Sequence, residues 1–231
     1  MRLCALTMLP PLFFKRSFDA ADFTFEHFRQ PAFALLPQTF LVHAIYIRLD
    51  GPSNVEVHCN DKRNQQQVSR GDITIAPYRL SVNGASVGTC EFLQLSLKPA
   101  LIDRAAKELG LNTHVELASV LGVVDPLAEQ TIYQLEEELA ISQQLSNHIT
   151  VLVDTVAQHL VRHYAKNKWN KNSFGGFPKY LLDRALEYIT DHRDRTLSSQ
   201  EIARAVGVEP DRFANAFRAT TGQDIDQYLR K

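Results

Sequence analysis

Between Leu197 and Gly222 the apolar positions recur at helical spacing in two short runs with one glycine between them. Ile202, Ala203 and Val206 give the first run an apolar face, and Phe213, Ala216 and Phe217 give one to the second. Ser198 and Ser199 are natural N-caps, and Glu201 is placed as a capping-box partner for Ser198. Gly207 stands where a helix stop needs a residue tolerant of positive φ. Val208 fills the corner, and Pro210 opens the next helix at a position where its missing N–H costs little. The pattern predicts two helices joined by a tight turn, the layout of a helix-turn-helix. Arg212, Asn215 and Arg218 fall on the outward edge of the second helix. Arg and Asn side chains suit guanine and adenine edges in a major groove.

Upstream the period changes. Asp19–Phe28 is read as a short helix. From Gln38 to Leu97 short alternating runs are divided by turn residues. Predicted strands cover Phe40–Leu49, Asn54–His58, Gln65–Val68, Ile73–Ala76, Val82–Thr89 and Glu91–Leu97, as in a sandwich or barrel. The chain then turns helical. Leu101, Ile102, Ala105 and Leu109 stripe one helix, and Asp125-Pro126 starts a second that carries Leu127, Ile132, Leu135, Leu139 and Leu145. Asn147 is expected to cap a third, reaching Ala165. Its Ile149, Val151, Leu152, Val156, Leu160 and Val161 are too many for a narrow stripe, so it is either deeply packed or part of an interface. A homodimer through the second and third helices is the expectation. Lys166–Phe177 has no periodicity and reads as a linker whose lysines are either solvated or placed to contact phosphate.

The segment Leu197–Leu229 resembles the first helix-turn-helix of AraC-type transcription regulators. The resemblance is carried by the Leu-Ser opening, Glu201-Ile202-Ala203, the Gly207 turn, the Phe213/Phe217 pair, Thr221-Gly222 and Tyr228-Leu229. Leu182–His192 resembles the helix that precedes it in that family. Leu41–Ile45, Gly71–Pro77, Glu91–Leu97 and Gln158–Tyr164 resemble, in the same order, segments of the family's cupin-like ligand-sensing half. The implied fold is α+β: an N-terminal cupin-like β-barrel with packed helices, then an all-α helix-turn-helix segment. The implied division is a sensing and dimerisation domain over 1–166, a linker over 167–177 and a DNA-binding domain over 178–231. The implied partners are double-stranded DNA and a small-molecule effector. Arg212, Asn215 and Arg218 would contact bases or phosphates, and Ser198 and Ser199 a phosphate at a helix N-terminus.

The chain departs from that family after the first unit. The second helix-turn-helix is absent, so a regulator truncated there is the expectation. The family's proline near Ile225 is also absent, and Asp211, Asp224 and Asp226 put like charge near the phosphate path. Weakened DNA binding follows, offset where a dimer presents two copies to separate half-sites.

Composition adds bounds. The apolar share of 45% supports a sizeable core, and the net charge of −1 is no footprint of a strongly basic nucleic-acid binder. Acids and bases also balance from Phe174 onward, so DNA affinity must come from a local stripe of arginines. Cys4, Cys59 and Cys90 are an odd number at spacings unlike a metal site, consistent with thiols in a reducing cytoplasm. The N-terminus lacks the cationic cluster and cleavage site of a signal peptide, and no run is long enough to span a membrane.

For metal chemistry the candidates are His43, His58 and Glu91, but there is no His-x-His pair. Arg79 and Val82 also stand where a metal-binding cupin would have glycine and histidine. No metal or cofactor is expected, and His43 is read as a strand residue satisfied by a backbone partner. Tyr46, Arg48, Tyr78 and Arg79 could anchor an effector, with their strand parity left open. There is no nucleophile elbow, P-loop or dinucleotide fingerprint, and an enzyme is not expected. The alternative reading is a cupin-type small-molecule binder or enzyme with an accessory helical tail.

Overall fold

The computed structural model describes residues 13–59, 62–86, 88–111, 114–142, 144–166 and 175–230. The expected linker thus lies largely outside the described residues, as do Cys4 and the N-terminal segment.

The strand-rich part runs β1 (Phe13–Asp19), β2 (Phe23–Gln30), β3 (Phe33–Thr39), β4 (His43–Arg48), β5 (Ser53–Cys59), β6 (Lys62–Val68), β7 (Ile73–Ala76), β8 (Ser81–Ser86) and β9 (Cys90–Leu97). Helix α1 (Pro99–Glu108) and strand β10 (Val120–Val123) follow, then helices α2 (Pro126–Ile141), α3 (Asn147–Tyr164), α4 (Lys179–Asp191), α5 (Ser199–Val206), α6 (Pro210–Thr221) and α7 (Ile225–Tyr228). The strands form two antiparallel sheets, ordered β1-β2-β9-β4-β7-β10 and β3-β8-β5-β6.

Asp19–Phe28, expected as a helix, is instead the end of β1, its turn and most of β2. The spacing of its aromatics suits a strand. Phe23 and Phe25 share one face, and Phe28, of opposite parity, goes to the other. The cap of α3 also shifts by one residue: the Ser146 hydroxyl, not Asn147, accepts the Ile149 N–H at 3.1 Å.

Register separates the two faces of the six-stranded sheet. Ile45 pairs with Leu95 and Ile47 with Leu93, and Phe25 lies opposite Leu95 on the other side. This face is covered by α1, α2 and α3 in one continuous core. The apolar residues of α3 are spent there: Ile149, Leu152, Val156, Leu160 and Val161 are all buried within the chain, while Val151 is exposed.

The opposite face carries Ala44, Tyr46 and Arg48 beside Ser96, Gln94 and Phe92. It looks toward the four-stranded sheet, since Ala44, Ala76 and Tyr46 cluster with Val57 and Val82. Helices α4 to α7 build a separate core around Phe177, Leu181, Ile202, Phe213 and Phe217, which also takes in Val124 from the end of β10.

Candidate nucleic-acid interface

Helices α5 and α6 form as local chemistry dictates. The Ser198 hydroxyl accepts the Glu201 N–H at 3.2 Å, and Gly207 ends α5 in the left-handed region at φ 77°. Pro210 occupies the first turn of α6, Glu209 caps it by accepting the Arg212 N–H at 3.0 Å, and Gly222 closes it at φ 74°. The second half of a capping box does not form, because Glu201 turns to Arg195 at 2.5 Å and to the Tyr188 hydroxyl. Ile202, Ala203, Val206, Val208, Phe213, Ala216 and Phe217 are all buried.

The proposed contact residues separate into two groups. Asn215 is exposed on α6, as is Arg218, which keeps 70% of its side chain in solvent and approaches Asp224 at 3.7 Å. Ser198 is exposed and Ser199 half-buried at the start of α5. Arg212 does not share that outward edge. Its Nη1 donates to Glu129 of α2 at 3.1 Å and its Nη2 to Asp72, just before β7, at 3.4 Å. The first turn of α6 faces the sheet and α2, so only 23% of the Arg212 side chain is exposed.

A second polar contact joins the same two halves. Asp125, the N-cap of α2, is fully buried, and each of its oxygens takes two donors. Oδ1 accepts the Ala128 N–H at 3.1 Å and the Tyr180 hydroxyl of α4 at 2.6 Å. Oδ2 lies 2.7 Å from His159 Nε2 and accepts the Tyr164 hydroxyl at 2.7 Å. With a carboxylate as acceptor, Nε2 is the protonated nitrogen. Burial alone would push this carboxyl up, but the hydrogen bonds from His159, Tyr164 and Tyr180 together hold it below its ordinary value. Burial beside the Asp125 charge raises both tyrosine hydroxyls. Sequence reasoning saw Asp125 only as a cap. Nothing local signals that side chains 34, 39 and 55 positions away converge on it.

Asp72 is also buried but less well satisfied. Burial drives its carboxyl up to about 6, against the pull of the Ser69 N–H and of Arg212. Burial raises Glu129 in the same direction.

The sequence candidates for metal ligation do not converge. His43 faces the helices and accepts the Tyr78 N–H at 3.3 Å, and burial lowers its pKa to about 4. Glu91 sits at the far end of β9, roughly 20 Å from the His43–Leu97 pair at about 3.3 Å per residue, where it bonds Lys15 and His27. His58 lies on the other sheet against Glu56 at 2.7 Å. Among the described residues no group of His, Cys, Asp and Glu could hold a metal ion.

Beside the apolar cluster around Ala44 and Val82, polar side chains also lie between the sheets. Arg48 is buried, pairs through Nε with Asp50 at 2.8 Å and lies 5.5 Å from the centre of the Phe92 ring. Gln94 donates to Ser96 at 2.8 Å. Arg48 Nη1, Gln94 Oε1 and Ser53 Oγ are buried without a hydrogen-bond partner among the described residues. Register thus settles the parity of Tyr46 and Arg48, which point between the sheets. Tyr78 and Arg79 lie in the turn after β7, with the guanidinium 5.1 Å from the tyrosine ring centre. Among the described residues no helix is long and apolar enough to cross a membrane.

No protein-family model and no curated protein sequence matches the chain. Several solved structures align with it over part or most of its length. The AraC-like transcriptional activator CuxR aligns at 14% identity and a TM-score of 0.46, over 93% of this chain and 76% of that one. A cupin domain from Bordetella pertussis aligns at 15% identity and a TM-score of 0.31, over 42% of this chain and 98% of its own. An RmlC-like cupin family protein with a double-stranded β-helix fold, from Methanocaldococcus jannaschii, aligns at 11% identity and a TM-score of 0.33, over 38% and 81%.

Proposed function

We propose that this chain is a sequence-specific DNA-binding transcription regulator whose N-terminal half senses a small molecule. The observation that carries the reading is the α5–Gly207–α6 unit. Its apolar sides close on the α4 core, while Asn215 and Arg218 stand exposed on α6. In this reading the unit is a helix-turn-helix and α6 is the recognition helix, its first turns entering the major groove. Asn215 and Arg218 contact base edges or phosphates, and the Ser198 and Ser199 hydroxyls donate to a phosphate at the start of α5. The effector sits between the sheets, where Arg48, Gln94 and Ser53 keep hydrogen-bonding capacity unspent. The chain acts as a homodimer through α2 and α3, near which Ile141, Leu145 and Val151 are exposed. Asp211, Asp224 and Asp226, all exposed near α6, keep affinity modest.

Selection from a random duplex library at two salt concentrations tests the reading. A specific duplex is expected to emerge, with affinity falling as salt rises. Asn215→Ala and Arg218→Ala are each expected to cost about 1–3 kcal/mol of binding and to relax specificity if they read bases. Unchanged affinity in both variants removes α6 from the interface.

A further inference from the structure

We propose that Asp72 and Glu129 form an acidic decoy on the sensing half that competes with DNA for Arg212, so that the docked arrangement is a closed form. The inference rests on reading α6 as the recognition helix. What it adds is an assigned competitor and the atoms that compete.

The decoy offers Arg212 what DNA would offer. A guanidinium binds phosphate or the O6 and N7 edge of guanine through paired N–H donors. Both terminal nitrogens of Arg212 already point at carboxylate oxygens, at 3.1 and 3.4 Å. These are the atoms a groove contact would use, so the two engagements exclude one another. Asn215 and Arg218, further along α6, are exposed, and among the described residues Arg218 pairs only with Asp224 of the C-terminal helices.

The turn before β7 is shaped for the contact. Gly71 has φ 80°, and a Cβ there would lie 2.7 Å from Arg212 Nη1 and collide with the Glu129 carboxylate. The contact is also poised to open. Burial pushes both carboxylates toward protonation, and Arg212 Nε is buried without a hydrogen-bond partner among the described residues. Opening returns all three charges to water, whereas the fully satisfied Asp125 gains nothing by it.

The same turn leads into the inter-sheet space. The Gly71 N–H donates to the Arg48 carbonyl at 2.8 Å, and the Arg48 N–H donates to the Asp72 carbonyl at 3.2 Å. The Arg48 side chain points between the sheets, so any ligand that shifts the Arg48 backbone also shifts the turn that carries Asp72.

Glu129→Lys tests the decoy by placing a cation against the guanidinium, with Glu129→Gln as the milder variant if the first folds poorly. Binding to a library-selected duplex is followed by fluorescence anisotropy, and hydrogen exchange of the Gly71–Asp72 turn and the first turn of α6 is followed without DNA. If the closed form is about nine-tenths populated, release tightens apparent affinity by up to about tenfold. Exchange at both segments is expected to rise in parallel. Adding Arg212→Met to Glu129→Lys should abolish the gain, which separates release of Arg212 from the added positive charge. Faster exchange with unchanged affinity overturns the competition while the DNA-binding reading stands. A gain that survives Arg212→Met overturns it too, as does unchanged exchange in a natively folded variant. If no duplex is enriched by the wild-type chain or by either Glu129 variant, the DNA-binding reading falls and takes the competition with it.

Discussion

Asp125 and Asp72 are both buried carboxylates on the N-terminal side of one seam, and each reaches a side chain of the C-terminal helices. Asp125 takes four donors on two oxygens and is held below its ordinary value. Asp72 is pushed up to about 6, with a backbone N–H from Ser69 and a long contact to Arg212. A buried charge with all its hydrogen bonds made holds two elements together, while one left short of donors joins them at a cost. The seam therefore combines a fixed tether at Tyr180 with a releasable contact at Arg212. It can change state at one end without coming apart at the other.

The largest expected effect breaks the tether. Asp125→Ala leaves three buried donors facing each other and removes the cap of α2. The expected loss is about 3–5 kcal/mol of folding stability, read by denaturant unfolding. If the seam is as unequal as the structure shows, Asp72→Ala costs clearly less. Equal losses would erase the distinction.

Acid titration separates the two by sign. Asp125 lies below its ordinary 3.8, so its stabilisation is present above that pH and is lost as pH falls through its lowered value. Asp72 is raised from 3.8 to about 6, so the folded chain holds an extra proton between those values. Its contribution is most favourable below 3.8 and is lost as pH rises through about 6, by about 3 kcal/mol at 1.36 kcal/mol per unit. Glu129 is raised too and adds a loss of the same sign. Asp72→Asn should flatten the fall in unfolding free energy between pH 4 and 6 relative to wild type. A parallel pH profile in the variant would assign that fall to other groups.

What the sequence revealed follows the range of the forces involved. Strands β4, β7 and β9 alternate or run apolar between turn residues, and the caps of α2 and α5 lie within three residues of the N–H groups they satisfy. Those signals are local, and they read correctly. Strand β3 is broken by Pro37 and a register shift, and β10 is four residues with a glycine inside, so neither carries a period to detect. The proposed DNA-contact residues divide in the same way. The exposure of Asn215 and Arg218 follows from spacing on one helix. Arg212 sits on that helix too, but its partners lie 83 and 140 positions away, and only the packed sheet brings them near. The polar side chains between the sheets are half legible: Tyr46 and Arg48 stand out in the sequence, but only pairing with Gln94 and Phe92 fixes which way they point.

The smallest expected effect refines the releasable side of the seam. Arg212→Met keeps most of the side chain's packing and removes its charge. At pH 7 it leaves Asp72 and Glu129 facing each other, and their mutual repulsion already raises Asp72. Because the Arg212 side chain is 23% exposed and Asp72 can take up a proton, the expected cost is only about 1–2 kcal/mol. Lowering the pH to 5 protonates Asp72, so the difference between variant and wild type should shrink there. With Asp72 neutral the repulsion between the two carboxyls is gone, and Arg212 then has less charge to meet. A cost that stays constant from pH 7 to 5 would mean that Arg212 contributes through its apolar stem alone, and the contact would lose its electrostatic character.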